Sequence, residues 1–496
     1  MEQILDSIVG FLWGTPLIVG ILFTGFYLTV RSGFFQFAFF GHIMKNTFGK
    51  MIKGKDESSE GKGMLSPIEA VSTAIGGSVG VGNIGGVATA IATGGPGAVF
   101  WMWLCSLIGM IIKTAEVTLA VHYRNTDEEG NPFGGPTYYI QKGLGEEMGL
   151  KVWPLLAVLF GGGIFATFFI TLQNYTVSEA LDSAFGIGMI PASLIYCLLT
   201  YAMIFGGIRH VGKVAGKIVP VMCLFYIVSC MVIIGSNIGE LPAAFALIFK
   251  SAFTGSAAIG GFAGAGIAQV IRLGVSRSVY SNEAGWGTSP MIHSTSKTVH
   301  PVKQGLWGGF EVFVDTILVC SMTALAIIIT GQWSSGLSGA TLTLSAFEMG
   351  VGSLGKNILA IGIFLFGITT SSGWYSYYEI ILRHVLKGRT DLKNKILKVY
   401  RLLYQIPGVL MVVYAVSHGL PGKYVWYFAD ISSAVPTFVN IFAVLLLSNK
   451  FFALLKDYKA RYLGIGKVDP NFKVFYEDGL SEKKKNVSGE SALAER

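Results

Sequence analysis

Runs of about 20 apolar residues recur along almost the whole of this 496-residue chain, and a helix needs about 20 residues to cross a hydrocarbon core roughly 30 Å thick. Eleven spans are predicted, over 8–31, 66–92, 96–122, 152–183, 189–207, 211–236, 255–275, 303–330, 354–386, 398–418 and 424–448. Lipid offers a backbone no hydrogen-bond partners, so a spanning segment must be a helix or part of a closed barrel. These runs lack the alternating ten-residue pattern of barrel strands. The predicted fold class is therefore an all-α integral membrane protein. Only 13% of the residues are charged, against about 25% in a soluble globular domain. The first span has acidic Glu2 and Asp6 ahead of it and no basic n-region or cleavage site, which predicts a retained helix, not a signal peptide.

A net charge of +8 reads, in such a chain, through the loops that carry it. With the N-terminus outside, the inner loops collect Arg31, Lys45, Lys50, Lys53, Lys55, Arg209, Lys213, Lys217, Arg272, Arg277 and the cluster from Arg383 to Arg401. The outer loops keep little beyond Lys250, Lys356 and Lys423. This predicts a multi-pass protein of the bacterial inner membrane with N out and C cytoplasmic, its partner the lipid bilayer and not nucleic acid. The five cysteines sit in apolar runs without CxxC spacing, and the seven histidines show no paired spacing. No transition-metal site and no catalytic centre is expected.

Two segments are interrupted by glycine: TAIGGSVGVGNIGGVATA at 73–90 and SAAIGGFAGAGIAQV at 256–270. Each opens a block of five spans, the pattern of an inverted 5+5 repeat whose first helices are broken at the midplane. Glycines that serve only close helix packing are the competing reading. The expected organisation is an extra N-terminal transmembrane helix and amphipathic segment at 1–48, a cytoplasmic linker at 49–65, and a core at 66–450. The core divides into repeats at 66–236 and 255–450, and a cytoplasmic tail occupies 451–496. Residues 49–65 and 464–496 are polar and poor in aromatics, which suits a linker and a flexible tail.

A broken helix offers amides and a positive dipole end to an anion, and carbonyls to a cation. A zwitterion with sodium suits both. In the first segment Gly76, Gly77, Gly80 and Gly82 let the backbone unwind, and Ser78 and Asn83 add oxygens. Thr369, Thr370, Ser371 and Ser372 place four hydroxyls together at membrane depth, as hard ligands or as bonds back to their own helix. Gln173 and Asn174 orient a substrate or join helices. Trp374 walls a pocket or anchors an interface. Lys113, Glu116, Glu179, Glu311 and Asp315 are ionisable residues inside spans. Lys113 and Glu116, three apart, are expected to neutralise each other, and Asp315 has no local partner.

The run GGPGAVFWMWLCSLIG from Gly94 to Gly109, with GVGNIGGVATA before it and SNEAGWGTSP at 281–290, resembles the alanine or glycine:cation symporter family, the sodium:alanine symporters. The resemblance extends over nearly the whole chain. It implies sodium-coupled or proton-coupled uptake of alanine, glycine or, in other branches, glutamine or serine, on the leucine-transporter fold. That fold's better-preserved cation site corresponds to Gly76, Val79, Phe366, Thr369 and Thr370. The substrate site corresponds to Gly80, Gly82, Asn83, Gln173, Trp374 and a second break around Phe262 and Gly264, with Gly261 and Ala263 nearby. A second cation site would fall on Ser78 and Asn83, with Asp315 where an asparagine is expected. The resemblance implies no cofactor besides the sodium ion and no obligate protein partner. A non-transporting amino-acid receptor is the reading from another class.

Overall fold

The chain folds around the places where its helices stop. A computed structural model describes residues 2–53, 63–170, 172–254, 266–420 and 422–477. Helices α1 (Glu2–Leu12) and α2 (Thr15–Arg31) form the first apolar span. Next come α3 (Pro67–Ser78), a π-helical turn at Gly82–Gly86, α4 (Val87–Gly94) and α5 (Ala98–His122). Then follow α6 (Trp153–Ile170), α7 (Leu172–Phe185), α8 (Met189–Ile204), α9 (Gly207–Ser236) and α10 (Leu241–Thr254). Across the site lie α11 (Ile267–Asn282), α12 (Ser289–His293), α13 (Pro301–Val312), a π-helical stretch at Phe313–Cys320 and α14 (Ser321–Ile329). The chain closes with α15 (Gly339–Val385), α16 (Thr390–Leu403), α17 (Ile406–Ser417), α18 (Gly422–Leu446) and α19 (Ser448–Leu463). Among the described residues the only sheet is the two-stranded hairpin Asn125–Thr126 with Pro132–Phe133.

Eight helices among the described residues are long and apolar enough to cross a membrane, or nine if the bent pair of α3 and α4 counts as one span. Eleven were expected. The difference has local causes. α8 has 16 residues, and the first part of the expected span at 255–275 lies outside the described residues. The span expected from 354 belongs to a longer helix, α15, which turns at Val351 and Gly352.

The interior is built on α5 and α13, which cross closely because Gly305, Gly308 and Gly309 let the backbones approach: a Cβ on Gly308 would lie 2.8 Å from Val117 Cγ2. The outer faces of α6, α8 and α9 leave Val158, Leu198 and Val221 exposed, which a hydrocarbon solvent favours. α3 starts sharply at a capping box: Ser66 Oγ accepts from Glu69 N at 3.2 Å, and Ser66 N donates to Glu69 Oε2 at 2.9 Å.

The described part of the expected flexible tail is docked. α19 buries Phe451 and Leu454, and the irregular run after it reaches the hairpin that follows α5. His122 Nδ1 donates to Val474 O at 2.8 Å, and Glu477 accepts from Thr126 N and Oγ1 at 3.2 and 3.1 Å. Phe475 packs 5.0 Å from the Arg124 guanidinium. Aromatic residues in a polar stretch hold it down.

Candidate functional site

α3 ends where Val79 leaves helical geometry (ψ 98°), and the chain turns by 45° into α4. The turn closes on itself through Asn83, whose Oδ1 accepts from Gly80 N at 2.8 Å. A Cβ on Gly80 would collide with Thr370 Oγ1. The glycine is therefore required here by close approach.

That neighbour belongs to the hydroxyl face of α15. Thr370 Oγ1 crosses to donate to Gly76 O at 3.0 Å, while Thr369 Oγ1 bonds back to Phe366 O at 2.9 Å. The structure thus gathers Gly76, Val79, Phe366, Thr369 and Thr370 where α3 meets α15. The other two hydroxyls point elsewhere: Ser371 Oγ pairs with Tyr196 OH at 2.6 Å and Ser372 Oγ donates to Ile368 O at 2.8 Å. Back-bonding accounts for Thr369 and Ser372, and not for Thr370.

Opposite lies a second interruption, at a place the sequence reading did not select. α11 stops at Asn282, Glu283 is left-handed (φ 56°), Gly285 and Gly287 have φ of 91° and 86°, and α12 begins at Ser289. This break falls in SNEAGWGTSP. Phe262 and Gly264, with the expected break around them, lie outside the described residues. The end of α11 that leads into the described break packs against Gly82, whose Cβ position is 3.3 Å from Tyr280 Cδ1 and 3.7 Å from Ser281 Cα. A glycine pair two apart, followed by Thr-Ser-Pro, is the signal that marks it.

Asp315 joins the two breaks. Its carboxylate, fully buried, accepts from Asn83 Nδ2 at 2.8 Å, Ser281 Oγ at 2.5 Å and Thr316 Oγ1 at 2.8 Å. Asn83 and Asp315 are therefore together, as the second cation site requires. Ser78 is not joined to them: its hydroxyl bonds back to Ile75 O at 3.4 Å. Ser281 was missed, since its role depends on a partner 34 residues away.

Gln173 and Trp374 share a small pocket with Tyr280, Trp286 and Tyr378 beside the breaks. Trp374 stands 5.1 Å from Trp286 edge-on, and Trp286 stands 5.3 Å from Tyr280. Trp286 Nε1 is buried with no acceptor among the described residues. Trp374 was expected here, and Tyr280, Trp286 and Tyr378 were missed.

The buried charges pair differently from the expectation. Lys113 does not neutralise Glu116: its Nζ donates to Ser289 Oγ at 2.7 Å and lies 3.8 Å from Glu311, which His293 Nε2 also meets at 2.9 Å. Glu116 instead accepts from Gly285 N at 3.0 Å and from Asn440 Nδ2. Helix neighbours three apart lost to partners across the fold, because Gly285 in the break and Ser289 at the start of α12 both lie against α5. Arg277, assigned to an inner loop by charge, is interior: it grips Asp430 of α18 in two bonds of 2.7 and 2.6 Å under the Trp426 ring.

Comparison with known proteins bears on this arrangement. AgcS of Methanococcus maripaludis, a sodium/alanine symporter, is 37% identical over 452 residues, covering 90% of this chain and 94% of that protein. A Bacillus subtilis protein described as "Probable sodium/glutamine symporter GlnT" is 38% identical over 487 residues, covering 97% of this chain and 95% of its own length. Among solved structures, MhsT in complex with L-phenylalanine superposes with a TM-score of 0.54 at 16% identity, over 77% of this chain and 88% of that one. A sodium-coupled sialic acid symporter superposes at 0.53 with 13% identity, over 92% of each chain. The fold is thus the leucine-transporter fold, and the relatives are transporters, not enzymes. The profile of the sodium:alanine symporter family matches residues 1–473, and the chain belongs to that family.

Proposed function

We propose that this membrane protein is a sodium-driven symporter that imports small neutral amino acids, alanine and/or glycine, by alternating access. The observation that carries the reading is the junction of the first break with α15, where Thr370 already seeks the Gly76 carbonyl and Asn83 holds both Gly80 and Asp315. Sodium takes the oxygens of Gly76, Val79, Phe366, Thr369 and Thr370. The substrate carboxylate sits against the amides of Gly80 to Asn83, and its ammonium and side chain face Gln173 and Trp374. Asn83 and Asp315 hold a second cation, or a proton in its place.

The rings of Trp286 and Trp374 crowd the pocket and favour a small side chain. Glutamine, named for the relative GlnT, is the competing substrate. Each ligand stabilises the same closed state, which is what coupling requires. One sodium entering down about 100 mV gains about 2.3 kcal/mol and a tenfold gradient about 1.4, enough for a few hundredfold accumulation. The N-terminus faces outward and the C-terminus the cytoplasm, in a bacterial inner membrane.

The test is uptake of labelled alanine into proteoliposomes, with and without an inward sodium gradient, for the wild type and Thr369→Ala with Thr370→Ala. Sodium-dependent accumulation lost in the double variant, and competed by glycine more than by glutamine, is the expected result. Uptake indifferent to sodium would refute the coupling, and alanine binding without flux would turn the reading to a receptor.

A further inference from the structure

A groove of about 540 Å³ runs along the membrane-facing seam of α9 and α15. Its floor is Met222, Tyr226 and Phe366, and its rims are Val221, Phe225 and Ile361, each at least half exposed. Its lining on α9 extends from Lys217 to Ser229, about 18 Å at 1.5 Å per residue. That is close to one leaflet, half of a roughly 30 Å hydrocarbon core.

The charge pattern of α9 fixes which leaflet. Arg209, His210, Lys213 and Lys217 occupy its first third, and no charged residue follows to Ser236. Residues 218–236 rise about 28 Å, a full hydrocarbon thickness. Lys217 therefore stands at the headgroup boundary, where the groove opens. Lys213, one turn earlier, is exposed with it. Neither makes an ion pair or hydrogen bond among the described residues. A basic pair at the mouth of an acyl-length apolar groove attracts an anionic headgroup.

We infer that the groove is a binding site for one anionic phospholipid, its acyl chain between α9 and α15 and its phosphate on Lys213 and Lys217. The chain lies one layer from the hydroxyl face of α15. Met222 Sδ is 4.0 Å from Thr369 Oγ1, which also bonds to Phe366 O and to Leu365 O, at 3.2 Å, on the groove wall. Bound lipid holds α9 against α15 at this level and raises sodium affinity, a consequence that rests on the proposed function.

The test compares protein reconstituted in phosphatidylcholine alone and with phosphatidylglycerol added. Native mass spectrometry reads the lipid retained, and uptake reads the half-saturating sodium concentration. One phosphatidylglycerol kept per wild-type chain is expected, with retention falling about tenfold in Lys213→Gln with Lys217→Gln. Gly362→Leu fills the groove, since nothing lies within 4 Å of its Cβ position, and should expel the lipid while melting at the wild-type temperature. Half-saturating sodium should rise severalfold in phosphatidylcholine alone and stay raised for both variants in either lipid. Equal retention of both lipids, or undiminished retention by Gly362→Leu, overturns the proposal. So does a second copy of the chain seated on the seam without lipid. Retention as expected in a protein that shows no sodium-dependent flux would sink the proposed function and leave the lipid site standing.

Discussion

The two helix breaks that face each other at the centre of this protein are held by different chemistry. The first, between α3 and α4, is padded mostly by uncharged groups, Asn83, the hydroxyl of Thr370 and small residues, with the Asp315 carboxylate as its one ionisable contact. The second, Glu283 to Thr288, takes positive φ at three positions, of which only Glu283 is not a glycine, and is pinned by buried ionisable groups, with Glu116 on Gly285 and Lys113 and Glu311 on Ser289 just after it. Uncharged padding can exchange its hydrogen bonds for those of a ligand at little cost. Buried charges cannot be unpaired cheaply. The first break is thus suited to respond to ligands, and the second to stay fixed while it does so.

The largest effect that would test this contrast is on the fixed side. Lys113→Met leaves the buried Glu311 carboxylate with only His293 and Ser289 as partners and should cost about 3 kcal/mol of stability, read as a lower melting temperature in detergent; Glu311→Gln in the same chain should return much of it. An unchanged melt would remove charge as the pin. On the responsive side, Asp315→Ala removes the carboxylate that Asn83 and Ser281 share, leaving them the backbone carbonyl of residue 315 and the Cys320 sulfur as weaker partners, and should slow sodium-driven alanine uptake about 100-fold. A variant that keeps more than a tenth of the wild-type rate would show that the link between the breaks is dispensable.

Gly285→Ala forces a side chain onto φ of 91°, a strain of about 1–2 kcal/mol that should appear in the melt before it appears in the sodium dependence. Thr370→Val removes the bond that crosses between helices, at about 1 kcal/mol, and should raise half-saturating sodium about fivefold. Thr369→Val with an equal or larger effect would reverse the ranking of the two hydroxyls.

The smallest expected effect lies outside the membrane. His300 Nδ1 accepts from Val302 N at 3.1 Å, and Nε2 donates to Asp457 Oδ2 at 3.2 Å, so the ring is neutral where α19 docks. Burial pulls its pKa down to about 4, against the hydrogen bond it donates to Asp457. Its contribution is complete above the unfolded value near 6.5 and is lost as pH falls towards 4. Melting temperature should decline across that window in the wild type and stay flatter in His300→Gln.

Much of this was legible in the sequence for a plain reason: the bilayer demands apolar length, so spans are written locally. The first break was legible because four glycines crowd one helix, and Thr370 because its hydroxyl cluster is conspicuous at membrane depth. The second break was obscured by a richer glycine run at 256–266, whereas Gly285 and Gly287 are sparse but have positive φ. Glycine number is shared by close packing and by breaks; glycine conformation marks a break, and only the latter needs coordinates. Lys113 and Asp315 were visible as costly charges, yet Glu311 and Asn83, the partners that tie them across the fold, lie 198 and 232 residues along the chain, where no local spacing rule reaches.

The clamp between the end of α5 and the run at 474–477 also sets an order of events in synthesis. Val474 emerges 352 residues after the His122 it meets, roughly 20–70 s later at 5–20 residues per second. Until then His122, Arg124 and Thr126 lack their cover. The first span waits as well, for Trp13 Nε1 donates to Asp430 O across 417 residues. A ribosome that stalls or terminates short of α18 therefore releases a chain with most of its helices made and both of these seams open, a form that a quality-control protease can tell from the finished protein.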